Sequence, residues 1–203
     1  MSVRHLIFSV VLIFFSGSSV ASGGPFGLSW GMSKSEVQDS GVALTEMDSQ
    51  GFASLSQYST GSLPKNLSDA KSYNLLFESD IGLVKVVMIS ETISGDVYGS
   101  AGKARYDELK GVFTRKYGNP TQEREVSGME LWDEPDEFYE CLAYDGCGYW
   151  ISLFQKNGSV YSVNLKGLGR GEGYITVGFE SPQWSDALDK ARGVSLQADE
   201  DAI

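Results

Sequence analysis

Residues 149–180 read YWISLFQKNGSVYSVNLKGLGRGEGYITVGFE, and the pairing they dictate decides the fold. Asn157-Gly158 stands between two runs of alternating apolar residues, the pattern of a two-residue hairpin loop whose residues take positive φ. Because strand side chains alternate with period two, that turn sets Phe154 opposite Tyr161, Ser152 opposite Val163 and Trp150 opposite Leu165, all on one face. Glycines then fall at 167, 169, 171 and 173. A dinucleotide-type phosphate loop needs G-x-G-x-x-G between a strand and a helix. Here the spacing fails and YITVGFE continues as a strand, so a second hairpin is predicted. Placing Ile175, Val177 and Phe179 on the face of Tyr161, Val163 and Leu165 pairs Leu165 with Ile175, Val163 with Val177 and Tyr161 with Phe179. That register calls for an odd-numbered loop, most simply Gly169-Arg170-Gly171, with Arg170 exposed at its tip as a candidate contact residue.

Trp150, Phe154, Tyr161, Val163 and Leu165 form the predicted core face. The opposite face carries Tyr149, Ile151 and Leu153 beside Ser162, Asn164 and Lys166. It is half apolar, so either a helix of the chain covers it or it meets a partner, and Tyr149, Ile151 and Leu153 are candidate interaction residues.

Outward from this centre, the strands are predicted at 128–132, 139–144, 148–155, 159–166 and 174–180. Residues 42–92 read mostly as further strands, with YNLLFES and GLVKVVMISETI joined by the turn SDIG and a long loop between Gln50 and Ala70. The longest helix lies within GSAGKARYDELKGVFTRKYGNP. Its stripe Tyr106, Leu109, Phe113 and Tyr117 faces the sheet, Gly118-Asn119-Pro120 stops it, and Lys103, Lys110, Arg115 and Lys116 make up its basic face. A C-terminal helix begins with Ser181 as cap and Pro182 at its first position and ends before Gly193. Consecutive strands with helices at intervals predict an α+β fold: a mainly antiparallel sheet with one long helix packed on it, a short N-terminal helix and a C-terminal helix. Residues 22–195 form one domain, or one domain with two lobes, followed by an acidic flexible tail over 196–203.

The chain opens with MSVRHLIFSVVLIFFSGSSVAS, where a basic residue, an apolar run from Leu6 to Phe15 and small residues at Ser19 and Ala21 read as an export signal over 1–21. The run is about half the ~20 residues a spanning helix requires, so cleavage near Ala21 is expected, with no stable membrane insertion. Export agrees with Cys141 and Cys147, the two cysteines of the chain, which an oxidising periplasm pairs into a local staple. The formal charge is −11, a surface that repels nucleic acid and favours a basic partner.

The single histidine is His5, inside the signal. The mature chain therefore lacks the residue on which Ser-His-Asp and Cys-His catalysis depend, and with it most zinc sites. No cofactor, metal or catalytic residue is assigned. What survives is chemistry by a carboxylate pair, with Asp133, Glu134, Asp136, Glu137, Glu140 and Asp145 as the acids, Ser-Lys hydrolysis, or no catalysis at all; Pro135 and the near-consecutive spacing of the acids read as a solvated loop.

Toward the N-terminus, FGLSWGMSKSEVQDSG sets Ser33 as helix cap, Glu36 as its capping-box partner, Met32 as a staple onto Val37 and Gly41 as the stop. This Gly-Met-Ser-x-x-Glu-Val turn resembles that of small Gram-negative envelope proteins of the BamE/SmpA-like group. The resemblance covers roughly fifteen residues; the chain differs from that group in length and in having no lipid-attachment cysteine. It implies an envelope interaction module. The leading expectation is a non-enzymatic periplasmic module that binds another envelope or periplasmic protein, as an inhibitor or immunity-type factor; an enzyme acting on a cell-wall glycan and an envelope assembly factor are the alternatives. The sequence sets no oligomeric state.

Overall fold

Both hairpins form in the registers that their turns and alternation dictate. The structure, a computed structural model, describes residues 23–48, 54–129 and 131–203; the expected export signal lies outside the described residues. Strand β7 (Tyr149–Lys156) pairs with β8 (Ser159–Gly169) through Trp150–Leu165, Ser152–Val163 and Phe154–Tyr161. Asn157 and Gly158 both take positive φ, 52° and 79°, as a type I′ turn requires. β8 in turn pairs with β9 (Glu172–Glu180) through Leu165–Ile175, Val163–Val177 and Tyr161–Phe179.

The connection between β8 and β9 differs in detail from the expected three-residue loop. Pairing continues to Gly167–Gly173, shifts by one residue, and resumes at Gly169–Glu172. Leu168 is the extra residue of this bulge, and the tip is Arg170-Gly171, with Gly171 at φ 70°. A bulge and an odd loop both absorb the one-residue parity mismatch, and the sequence alone does not choose between them.

Around this centre stand β1 (Thr45–Met47), β2 (Leu55–Thr60), β3 (Ala70–Glu78), β4 (Gly82–Ser90), β5 (Ile93–Ser94) and β6 (Gln122–Val126). The pairs are antiparallel and give a nine-stranded sheet in the order β1-β2-β3-β4-β9-β8-β7-β6, with β5 against β9. β2 runs through the interval expected to be a long loop. Its Leu55, Tyr58 and Thr60 are buried, and its Ser and Gln positions hid a period-two pattern. β6, QEREV, has no apolar alternation to reveal it: it is an edge strand whose charged side chains are held by Lys110, Ser152 and the Tyr149 ring, and charge on an edge discourages further pairing.

The helices are α1 (Lys34–Asp39), α2 (Ser100–Tyr117), α3 (Phe138–Ala143) and α4 (Trp184–Ala202). The fold is α+β, but the expected architecture of a sheet with one long helix packed on it, a short N-terminal helix and a C-terminal helix is corrected. No single long helix covers the sheet. Its inner face is shared by the segment around Trp30, Val37 and Val42, by α2, and by α3, while α4, at 19 residues against 18 for α2, packs its Ala187 and Ala191 on the other face against Leu55 and Val84. The expected strand at 139–144 is α3: Phe138, Tyr139, Cys141 and Leu142 are buried at helical spacing, and Pro135 starts the turn that leads into it. No strand forms among the described residues of 128–132. α4 does not stop before Gly193, and residues 196–202, expected as an acidic tail, are its last turns. One interior glycine costs about 1 kcal/mol, which a propagating helix tolerates.

At the N-terminal end, the capping box is formed: the Ser33 N–H donates to Glu36 Oε2 at 2.7 Å and the Glu36 N–H to Ser33 Oγ at 3.3 Å. α2 has no side-chain cap at Gly99. Instead Asp96 accepts the Gly102 N–H at 2.9 Å and the Tyr139 hydroxyl at 2.8 Å, tying the start of α2 to α3.

Candidate functional site

The register fixes which side chains share the outer face of β6, β7, β8, β9 and β4. One row across it runs Arg124–Ile151–Asn164–Thr176–Ile89, and the next runs Gln122–Leu153–Ser162–Gly178–Val87. Bulky side chains on β7 and β4 therefore flank a middle of Ser162, Asn164, Thr176 and Gly178. Tyr149, Ile151 and Leu153 stay half-buried. α4 takes the neighbouring part of this face, over Leu55, Leu76 and Val84, so among the described residues helix cover reaches only the β2–β4 end.

Beside Tyr149 and Ile151 the surface dips into a hollow of about 340 Å³. Asn164 and Lys166 line it from β8, and Tyr144 and Asp145 border it from the loop closed by the disulfide. The guanidinium of Arg124 lies 4.0 Å from the centre of the Tyr149 ring, a cation–π contact that holds the ring beside the sheet. The hollow is lined by one acid, Asp145, and one base, Lys166, and Arg124 adds a second cation beside it over Tyr149. β6, which brings Arg124, was missed by periodicity; the rows become readable once strand order is known.

The Cys141–Cys147 disulfide is formed, with Cα atoms 5.1 Å apart and both residues buried. It joins α3 to the start of β7, and the Gly128 N–H donates to Cys141 Sγ at 3.0 Å. The bond therefore shapes the wall of the hollow. Among the described residues no helix is long and apolar enough to cross a membrane, and no group of three or more acids, cysteines or histidines could hold a metal.

Arg170 sits at the hairpin tip, where its guanidinium donates to Asp136 of the turn before α3. The other acids of this stretch do not converge. Asp133, Glu134 and Asp145 are exposed, Glu137 accepts the Glu134 N–H, and Glu140 is half-buried with Oε2 sequestered and without a hydrogen-bond partner among the described residues. The carboxylate most strongly acidified lies elsewhere: Glu78 on β3 is held down to about 2. Burial opposes its ionisation, but bonds from Lys190, the Asp80 N–H, Ser79 and the Ile81 N–H outweigh that. A group so firmly ionised serves as an anchor for α4 rather than a proton donor.

No family model, characterised protein or solved structure matches the chain.

Proposed function

We propose that the protein is an exported, periplasmic, non-enzymatic binding module that receives a helix of another envelope protein on the outer face of β7, β8, β9 and β4, in the manner of an inhibitor or immunity-type factor. The observation that carries this reading is the half of the face that no helix covers among the described residues, with Lys166 in the hollow beside Tyr149 and Ile151 and Arg124 over the Tyr149 ring. The trough between the β7 and β4 side chains spans three strand spacings, about 14 Å, and a helix with its side chains is about 10–12 Å across. α4 already lies on the adjoining part of the sheet, so the surface suits helix packing. Arg124 and Lys166 select a partner helix with acidic residues beside its apolar stripe, and charge pairs of this kind steer encounter. Export is supported by the disulfide and by the apolar run that opens the sequence.

A photocrosslinking residue at Asn164 in the exported chain, compared with one at Arg115 on the far side of α2, tests the reading in the intact envelope. Asn164 should trap a discrete partner that Ile151→Glu and Lys166→Glu each lose while both variants remain folded. Identical products from both positions, or a product indifferent to both substitutions, would overturn it.

A further inference from the structure

On the opposite side of the sheet from that face, a cavity of about 420 Å³ opens between the N-terminal segment, the loop before Leu67 and the second half of α2. Its base is aromatic: Phe113 and Phe179 are buried beneath it, and Tyr117 and Tyr161 stack with ring centres 3.9 Å apart and planes 16° from parallel. Phe26 and Trp30 add rings from the N-terminal segment. The rim is exposed, and Lys65 and Lys116 stand on it. Among the described residues neither lysine pairs with a carboxylate, whereas Lys85, Arg105, Lys110 and Lys190 do.

The wall that holds Phe26 is built against local preference. Phe26 takes φ 56°, a left-handed conformation that costs a bulky residue on the order of 1–3 kcal/mol. The surroundings impose it: the Gly24 N–H donates to Leu28 O and the Lys65 N–H to Phe26 O, at 3.0 and 2.9 Å. The Phe26 ring then meets Tyr73 and Phe179 edge-on at 4.9 and 5.0 Å. Gly27 follows at φ 85°, where an added Cβ would come within 3.0 Å of Pro64. Two segments distant in sequence are thereby locked together at one side of the cavity, and Lys65 is carried to its rim.

We infer that this cavity binds a small planar aromatic acid, its ring among the aromatic side chains and its carboxylate or phosphate between Lys65 and Lys116. The volume falls within the ~300–1,000 Å³ of small-molecule sites, which are apolar with a few placed polar groups. Rings favour rings in edge-to-face and offset-stacked geometry, so the lining selects an aromatic body over a flexible chain. In a chain of net charge −11, two lysines without a carboxylate partner among the described residues, Lys116 already over the Tyr117 ring, complement a single anionic group above an aromatic floor.

Titration calorimetry of the folded protein tests the inference, with 1-naphthoate and 1-naphthyl phosphate as probes, 1-naphthalenemethanol as the uncharged analogue and dodecanoate as the flexible one. At least one naphthyl anion should bind more tightly than both comparators. Lys65→Gln with Lys116→Gln should weaken that anion at least tenfold and leave 1-naphthalenemethanol unchanged. Val112→Trp, at an exposed rim position, should abolish binding of both. Absence of naphthyl-anion binding at millimolar concentration, equal affinity for the uncharged analogue, or tighter binding of dodecanoate would each overturn the proposal.

Discussion

The hydroxyl oxygens of Tyr106 and Ser152 lie 2.6 Å apart in the interior, where α2 meets β7. Both residues are fully buried, and the Ser152 hydroxyl also reaches Glu123 Oε2 at 3.3 Å. Burial raises the Tyr106 phenol well above its ordinary value, so it stays neutral and serves as a hydrogen-bonding group under the helix. Tyr106→Phe should cost about 1 kcal/mol, because Ser152 keeps its second partner. Chemical denaturation checks this; a loss above about 3 kcal/mol would show that Ser152 is left unsatisfied.

Phe113 has four ring neighbours, Tyr117, Phe154, Phe179 and Tyr161, with centres between 5.3 and 6.5 Å. Phe113→Ala should therefore destabilise the fold by roughly 3–5 kcal/mol, as loss of a buried aromatic does. It should also enlarge the cavity and weaken 1-naphthoate. A stability loss below about 1 kcal/mol would mean that the α2 stripe does not seat on the sheet.

Glu78 gives stability a definite pH dependence. Its folded pKa is depressed to about 2, so its contribution is complete above the ordinary carboxylate range and is lost as pH falls from about 4.5 toward 2. Lys190 donates to Glu78 at 2.7 Å and also contacts Asp80, fastening α4 to the β3–β4 turn. Unfolding free energies measured from pH 6 to 2 should fall less steeply in Glu78→Gln than in the native chain. Parallel profiles would place the acid sensitivity elsewhere.

Reduction of the disulfide should leave the sheet intact. A loop this short constrains the unfolded chain by about 2 kcal/mol in the entropic account, and α3 retains Phe138, Tyr139 and Leu142 in the core. Thiol labelling should find no free cysteine in the native protein and two after reduction, with far-UV circular dichroism largely preserved. Collapse of the spectrum on reduction would make the disulfide a condition of folding.

The hairpin registers were legible because Asn157-Gly158 and strict alternation leave one solution, and the α2 stripe was legible because Tyr106, Leu109 and Phe113 recur at helical spacing. β2, β6 and α3 were not. Ser and Gln in β2 mask its apolar positions, the charges of β6 look like a loop, and the six-residue run Phe138–Ala143 is too short for its period to separate a strand from a helix. Tyr149, Ile151 and Leu153 could be assigned to one face, but the aromatic cavity could not be foreseen. Its walls come from residues near 26, 65, 113 and 179, and nothing local announces that they meet.

Two of the alternating glycines, Gly167 and Gly173, have a physical explanation in α3. Gly167 and Gly173 pair directly, and Tyr139 lies across them. A Cβ on Gly167 would come within 1.9 Å of the Tyr139 carbonyl oxygen, and one on Gly173 within 2.1 Å of its ring. Gly102 of α2 meets the Tyr139 hydroxyl at 2.1 Å in the same way, so three glycines form the seat of one tyrosine. Gly169 has nothing within 4 Å of its Cβ position and serves as a control. Gly167→Ala meets backbone, which cannot rotate away, and should cost at least about 2–3 kcal/mol, at the upper end for overpacking. Gly169→Ala should stay within about 0.5 kcal/mol of the native chain. Thermal unfolding of the two variants separates a seat for α3 from a mere preference for flexible residues near a turn: equal losses at both positions would favour flexibility, and the expected contrast would assign Gly167 to the approach of Tyr139.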